Sequence, residues 1–393
     1  MQAQRTLRLI LSLTLLATSA GAEGPSDDVI EVDAALRALP LVTVVPTDEA
    51  SAAEAHEVAR VLSLSALFDA RPVAVGSPAG GRVVEVTRDP DATSVVTTGL
   101  DHGRRRRLAA HSAQPARDVA RLVDGVVEDL TGTRAHLSGE LLIVDASTPG
   151  ERRVRVLLGT GAHLRDVSPR GQLARGPDVG AGGKVWYAAA AAGDPLRLFA
   201  EGQSSPVTLN PRGFVAAIAL TSEGRRAAVV IGNEVGGALW TGALGGPLTE
   251  VPTAGLAMHP TFSPDGTLAY AAGPPEGPTR VYVGDRAVSP AGVWASSPAF
   301  CARGEKARVA YASRAGSVVL VDLASGAAHS VAAGSSPACS PDGRTVALSR
   351  GKGGGSKPGL WLVADDGVGA HRVFDGEVSF VRWLAGAELP PPM

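Results

Sequence analysis

The chain has 393 residues and a nearly balanced charge, with 37 basic and 39 acidic side chains and a formal net charge of −2. This balance gives no strong positive field, which argues against nucleic acid as the partner. The local exception is the run RRRR at residues 104–107. It predicts a solvated loop, with contact to an acidic partner surface as the alternative.

The first 22 residues have the pattern of a secretory signal peptide. Arg5 and Arg8 supply the basic start, residues 9–17 the apolar stretch, and residues 20–22 (AGA) the small-residue cleavage site. The apolar stretch is short for a bilayer span, and no later run reaches the roughly 20 apolar residues of a transmembrane helix. We therefore expect an exported chain that is cleaved after Ala22 and does not span the membrane.

Residues 23–136 are predicted to form a small α/β domain. A capping-box pattern at residues 51–54 (SAAE) opens a helix that is expected to continue to about Phe68. A second helix begins at Pro115 and ends at Gly132, and it carries a continuous apolar stripe. Strands are expected at residues 41–45, 73–75, 83–86 and 94–98, where β-branched residues cluster.

The C-terminal part repeats one motif at a period of about 40 residues. Residues 259–266 (HPTFSPDG) return at residues 297–304 (SPAFCARG) and 336–343 (SPACSPDG). In the Pro-Asp-Gly turn, Pro presets φ, Asp bonds to the backbone and Gly takes the φ > 0 position, so two antiparallel strands meet there. A regular period of this length is typical of a β-propeller.

Aligning the turn glycines predicts six blades. The anchors are spaced 41, 42, 38, 39 and 43 residues apart: Gly183, Gly224, Gly266, Gly304, Gly343 and Gly386. Only seven residues follow the last anchor, so strands from residues 138–158 are expected to complete the C-terminal blade and close the ring. The fold prediction is therefore an α/β N-terminal domain followed by a six-bladed all-β propeller at 137–393, with an open β-sandwich as the alternative.

Two cysteines in an exported chain suggest a disulfide. In the repeat alignment Cys339 occupies the position of Phe300, whereas Cys301 falls one position later. Adjacent strand residues point to opposite faces, so one thiol can face the neighbouring blade and the other can face back. A bridge is therefore possible, and two small core residues are the alternative.

The order of these segments resembles TolB, the periplasmic component of the Tol-Pal system. The resemblance is carried by residues 118–144, where a helix ending in LTG at 130–132 is followed by the strand at 141–144, and by residues 41–68. It implies a periplasmic, monomeric, non-enzymatic adaptor without cofactors that supports outer-membrane integrity. It also implies a Pal-like lipoprotein as a propeller partner and an inner-membrane Tol component as a second partner.

Catalytic motifs are absent from the sequence. It contains no Gly-x-Ser-x-Gly elbow, and the Ser-x-x-Lys match at Ser349–Lys352 straddles a strand end and a glycine-rich loop. The family's inner-strand Asp positions are Ala257, Ala295 and Gly334 here, which argues against an axial metal site. The alternatives are an exported propeller enzyme, such as a metal-dependent lactonase or a lyase, and a scaffold with another protein partner.

The rim opposite the Pro-Asp-Gly turns is the predicted partner-binding surface. It is expected to carry aromatic and basic side chains that suit a protein or peptide ligand. These candidates are His259, Trp294, Arg314, Lys352 and Lys357. The alternative is that Trp294 is blade core and that the loop at 352–357 is merely flexible.

Overall fold

The computed structural model describes residues 39–77, 82–89, 92–98, 104–109, 114–233, 236–302, 306–351 and 357–384. The predicted signal peptide and its cleavage site lie outside these ranges. The described part of the chain contains an α/β region at its N-terminal end and a six-bladed β-propeller after it. The predicted fold class is therefore confirmed.

The α/β region contains a mixed five-stranded sheet in the order β2-β1-β3-β4-β5. Strand β1 is parallel to β2 and β3, whereas β3, β4 and β5 are antiparallel. The strands are β1 (Leu41–Pro46), β2 (Asp69–Pro72), β3 (Arg82–Asp89), β4 (Ala92–Thr98) and β5 (Arg104–Ala109).

Two local predictions in this sheet are wrong. No strand forms at residues 73–75, where one was expected. Strand β2 ends at Pro72 instead, and residues 74–77 form a turn. The arginine run at residues 104–107 is not a loop but belongs to β5, which pairs with β4. Strand β5 lies at the end of the described strand order of this sheet.

Helix α1 (Ala52–Ser63) begins where predicted but is capped differently. The capping box joins Asp48 and Ser51: the Ser51 N–H donates to Asp48 Oδ1 at 2.9 Å, and the Asp48 N–H donates to Ser51 Oγ at 3.2 Å. It opens a single 3-10 turn that leads into α1. The helix ends five residues before Phe68, since Ala66 has a left-handed φ of 59° that an α-helix cannot accommodate.

Helix α2 (Pro115–Thr131) confirms the predicted apolar stripe. Pro115 lies in the first turn, and Gly132 ends the helix with a φ of 73° while its N–H donates to Glu128 O at 2.8 Å. The buried stripe packs in one continuous core with α1, the sheet and parts of the propeller. Neither described helix has both the length and the apolar composition needed to cross a bilayer.

Six sheets form the propeller, and blade 1 combines the last strand of the propeller with its first three strands. Strand β28 (Val378–Trp383) pairs with β6 (Glu140–Asp145), followed by β7 (Arg153–Leu158) and β8 (His163–Asp166). Strands β6, β7 and β8 thus share one sheet with the C-terminal strand β28.

The other five blades follow one another along the chain. Blade 2 has β9 (Leu173–Val179), β10 (Val185–Ala190) and β11 (Arg197–Ala200). Blade 3 has β12 (Phe214–Leu220), β13 (Arg226–Asn233), β14 (Gly236–Ala243) and β15 (Leu248–Val251). Blade 4 has β16 (Leu256–Phe262), β17 (Leu268–Gly273), β18 (Arg280–Val283) and β19 (Arg286–Ala287). Blade 5 has β20 (Ala295–Phe300), β21 (Arg308–Ser313), β22 (Ser317–Asp322) and β23 (Ala328–Ala333). Blade 6 has β24 (Ser335–Cys339), β25 (Thr345–Arg350), β26 (Gly359–Ala364) and β27 (His371–Asp375).

The Pro-Asp-Gly turns have the predicted chemistry. In blade 4 the Ser263 hydroxyl donates to Asp265, and the Thr267 N–H donates to Asp265 Oδ1 at 3.2 Å. The turn glycines Gly266 and Gly343 have φ values of 83° and 66°. We call the end of the propeller that carries these turns the turn rim, and the end where each inner strand begins the mouth rim.

The inner strand of every blade also has a β-bulge, which the sequence analysis did not identify. Strands β9, β12, β16, β20, β24 and β28 each gain an extra residue against their neighbour. In three blades the repeated motif begins at the bulge, where His259, Ser297 and Ser336 have φ values of 50°, 52° and 48°. A bulge re-aims the side chain at that position, and these three residues line the central cavity.

The α/β region contacts the turn rim. Arg344, beside the blade 6 turn, donates from Nη2 to Thr133 Oγ1 at 2.8 Å. On the same rim, a Cβ at Gly369 would lie 2.6 Å from Ala66 O, so the two backbones approach closely there.

Candidate partner-binding site

A central cavity of about 480 Å³ runs between the inner strands of the six blades. Its walls consist mainly of small and apolar residues together with serine hydroxyls, and they also carry a few charged side chains. Examples are Ala217, Pro298, Ala338, Ser297 and Ser379. The volume falls within the usual range of ligand pockets, about 300–1,000 Å³.

A buried ion pair lies in this cavity and joins the first two blades. Arg382 Nε lies 2.9 Å from Asp178 Oδ1, and the Asp178 side chain is 2% exposed. The Asp178 carboxylate also accepts 2.7 Å hydrogen bonds from the N–H groups of Val179 and Leu220. Burial raises the pKa of Asp178, while Arg382 and the two N–H groups oppose that rise.

Two further arginines line the cavity towards the mouth rim. The Ala174 N–H donates to Arg152 O at 3.0 Å, which places Arg175 next to Arg152 across two blades. Partial burial, and secondarily the positive charge of Arg152, lower the pKa of Arg175. No sequence pattern indicates this pair, because Arg152 lies in the connection before β7 and Arg175 lies in β9, with no shared motif.

His259 was predicted on the rim opposite the turns, but the structure places it inside the cavity. It occupies the bulge of β16, and its side chain is open to the cavity while protein surrounds it. This enclosure lowers the pKa of His259 to about 4, so its imidazole is neutral at neutral pH. His259 can therefore act as a hydrogen-bonding group of the channel but not as a cation there.

Trp294 and Arg314 lie together on the mouth rim, at the beginning of β20 and the end of β21. The guanidinium carbon of Arg314 is 5.0 Å from the centroid of the Trp294 ring, a cation–π contact. Trp294 is half-buried, and its neighbour Val293 is 43% exposed. The two residues therefore form one aromatic and cationic patch beside the channel mouth.

Lys357 and a second cation–π pair lie on the same rim. Lys357 is exposed just before β26, whereas Lys352 lies outside the described residues. Arg350 lies over the Trp361 ring, with its guanidinium carbon 4.3 Å from the centroid. No motif in the sequence marks this pair, although its residues lie diagonally across the pairing of β25 with β26.

Cys301 and Cys339 are joined by a disulfide, with their Cα atoms 5.2 Å apart. The bridge links the residue that follows the inner strand of blade 5 to the last residue of the inner strand of blade 6, and Cys339 lines the cavity. In the described part of the chain, no group of three or more His, Cys, Asp or Glu side chains is arranged to hold a metal ion.

Comparison with solved structures identifies a related architecture. The crystal structure of TolB from Acinetobacter baumannii aligns with a TM-score of 0.69 at 16% identity, over 88% of this chain and 96% of that chain. A putative TolB from Agrobacterium tumefaciens aligns with a TM-score of 0.46 at 14% identity, over 63% of this chain and 98% of that chain. A nidogen/laminin complex gives a TM-score of 0.47 at 10% identity, over 62% and 97%.

The first of these likenesses shows that the chain has a TolB-like fold, as the sequence resemblance implied. No protein-family model matches the sequence, and no curated protein sequence matches it.

Proposed function

We propose that this protein is a periplasmic, non-enzymatic adaptor of the TolB type. Its propeller binds a peptidoglycan-associated lipoprotein, and its N-terminal region contacts an inner-membrane Tol component, so that the protein supports outer-membrane integrity. The proposal includes export by the signal peptide at 1–22, a domain division at residue 136 and a monomeric state. The TolB-like fold supports this role.

The patch formed by Trp294 and Arg314 is the observation that carries the proposal. Tryptophan and arginine are enriched among the residues that dominate binding energy at protein interfaces. The cation–π contact holds both side chains at the mouth rim, and exposed Val293 adds apolar surface beside them. The α/β region contacts the turn rim, so the patch lies at the other end of the propeller.

Affinity capture from the bacterium's own envelope tests the proposal. The tagged protein is crosslinked mildly in cells, purified and analysed by mass spectrometry, in parallel with a Trp294→Ala/Arg314→Ala variant. We expect a Pal-like lipoprotein to be recovered with the wild-type protein and reduced at least tenfold with the double variant, since hot-spot side chains contribute about 2 kcal/mol or more.

The matched control is Arg225→Ala, which removes an exposed arginine at the turn rim, where the side chain is 86% exposed. It should recover the lipoprotein as the wild type does. Recovery of no lipoprotein and no Tol component by the wild-type protein would remove the adaptor role.

A further inference from the structure

We propose that Arg152 and Arg175 form a carboxylate-binding site at the mouth of the central channel, which takes an acidic side chain from an extended segment of a protein partner. This inference rests on the proposed function, because it takes the partner to be a protein. It adds the chemical group of the partner that the channel would bind. The site lies on blades 1 and 2, whereas the patch of Trp294 and Arg314 lies on blade 5, across the ring.

The backbone fixes the two arginines beside each other. Arg152 lies in the connection between β6 and β7, where its N–H donates to Gln172 O at 2.9 Å and its carbonyl accepts from Ala174 at 3.0 Å. Arg175 follows Ala174 directly and precedes the bulge of β9. Both side chains line the same cavity. Partial burial is the main cause of the lowered pKa of Arg175, and the like charge of Arg152 is the second cause.

The cavity holds an excess of positive charge. Its charged lining residues are three arginines and one aspartate, which leaves a formal excess of two positive charges. The aspartate, Asp178, is already paired with Arg382. Glu151, adjacent to Arg152 in sequence, accepts from the Gly171 N–H at 2.9 Å and lies 3.7 Å from Arg153. Within the described part of the chain, neither Arg152 nor Arg175 has a carboxylate partner.

An external carboxylate fits this arrangement. Guanidinium groups bind carboxylates through charge-assisted and often bidentate hydrogen bonds, which are roughly twice as strong as neutral ones. A bound carboxylate would also remove the repulsion between two like charges held close together. Two positive charges in a cavity with low-dielectric walls attract an acidic ligand further through the focused field.

The rest of the cavity suits a peptide rather than an isolated ion. A volume of about 480 Å³ greatly exceeds what a single small anion fills, and most of the wall is apolar or carries serine hydroxyls. Ser297 and Ser379 provide hydroxyls along the channel, where a peptide backbone could find hydrogen-bond partners.

Selection from a displayed library of random decapeptides tests this site without assuming a sequence. The library is selected on the wild-type protein, on Arg152→Gln/Arg175→Gln and on Arg197→Gln. Arg197 is the matched control, because it is an exposed arginine on β11, the outermost strand of the same blade as Arg175. Affinity of the most enriched peptide, and of its Asn/Gln counterpart, is then measured by fluorescence anisotropy.

We expect peptides rich in Asp and Glu on the wild-type protein and on Arg197→Gln, with affinity falling as salt rises. The double variant, or the amide peptide, should bind about tenfold to a hundredfold more weakly, as expected for loss of charged hydrogen bonds. Unchanged thermal midpoints establish that the variants fold, and the two single variants replace the double variant if it does not.

The site is overturned if no peptide is enriched, if the enriched peptides are not acidic, or if the double variant binds them equally. The proposed function is tested separately, by capture of the lipoprotein. Capture of the lipoprotein without acidic selectivity leaves the adaptor role and removes the carboxylate site. Acidic selectivity through Arg152 and Arg175 without lipoprotein capture leaves the site and removes the adaptor role.

Discussion

Asp124 in helix α2 accepts a 2.7 Å hydrogen bond from the backbone N–H of Leu137, thirteen residues later. The same carboxylate accepts from the N–H of Ser138 at 3.0 Å and from its hydroxyl at 2.6 Å. This buried group therefore fixes the helix to the segment that leads into the first strand of the propeller. Its burial has a consequence for stability that depends on pH.

We predict that Asp124 makes the protein less stable as pH rises from about 4 to about 6. Burial raises the pKa of Asp124 from 3.8 to about 6, so the folded state holds the proton more tightly than the unfolded state in that interval. Stability is gained as pH falls through the interval and lost as pH rises, by about 3 kcal/mol in total. Urea unfolding at pH 4 and pH 7 gives the free energy of unfolding of the wild type and of Asp124→Asn. Between pH 4 and pH 7 the wild type should lose stability relative to the variant.

The control is Asp194→Asn, an exposed aspartate in the turn after β10, whose stability difference from the wild type should not change between the two pH values. A pH-independent difference between the wild type and Asp124→Asn would contradict the assignment.

The disulfide between Cys301 and Cys339 should stabilise the propeller. It closes a loop with a sequence separation of 38 residues, for which loop-closure entropy gives about 4 kcal/mol. We expect a reducing agent to lower the thermal midpoint of the wild type but to leave Cys301→Ala/Cys339→Ala unchanged. An equal response of both proteins to the reductant would mean that the bridge makes no contribution.

The turn glycines of blades 4 and 6 should respond differently to alanine. Both have φ > 0, which costs a non-glycine residue about 1–2 kcal/mol. A Cβ at Gly266 meets nothing within 4 Å, whereas a Cβ at Gly343 would lie 1.9 Å from Ala302 O of blade 5. Gly343→Ala should therefore cost about 1–3 kcal/mol more than Gly266→Ala in urea unfolding. Equal costs would show that the neighbouring blade yields freely at this turn.

Removal of Arg382 should destabilise the closure between blades 1 and 2. Arg382→Met leaves the Asp178 carboxylate buried without its cation, which typically costs about 3–5 kcal/mol. The double variant Asp178→Asn/Arg382→Met removes both charges and should recover most of that loss. Urea unfolding of the two variants measures it, and a loss below about 1 kcal/mol in Arg382→Met would show that the pair is not needed.

The blade count and the order of segments could be predicted from the sequence because they depend on local, periodic signals. The glycine anchors set the period, the Pro-Asp-Gly turns specify their own geometry, and the α2 stripe repeats with the helical period. The same locality explains why a capping box placed at residues 51–54 was wrong, since Ser51 has an alternative partner three residues earlier in Asp48.

The candidate site was only partly predictable. Trp294 and Arg314 flank one blade's strands, so the strand order alone placed them on one rim. The bulge that turns His259 into the channel depends on a register between two strands, which no residue pattern in the motif specifies. Arg152 and Arg175 lie 23 positions apart in the sequence with no shared motif, and their proximity arises where blades 1 and 2 meet.

The sequence by itself determined the repeating unit, the number of blades and the closure of the ring, because turn chemistry and strand periodicity act over a few residues. The tertiary structure decided which side chains face the channel and which charges remain without a partner there. Those properties depend on how six inner strands approach one axis, since burial and electrostatic repulsion are set by distances between residues that the chain order separates.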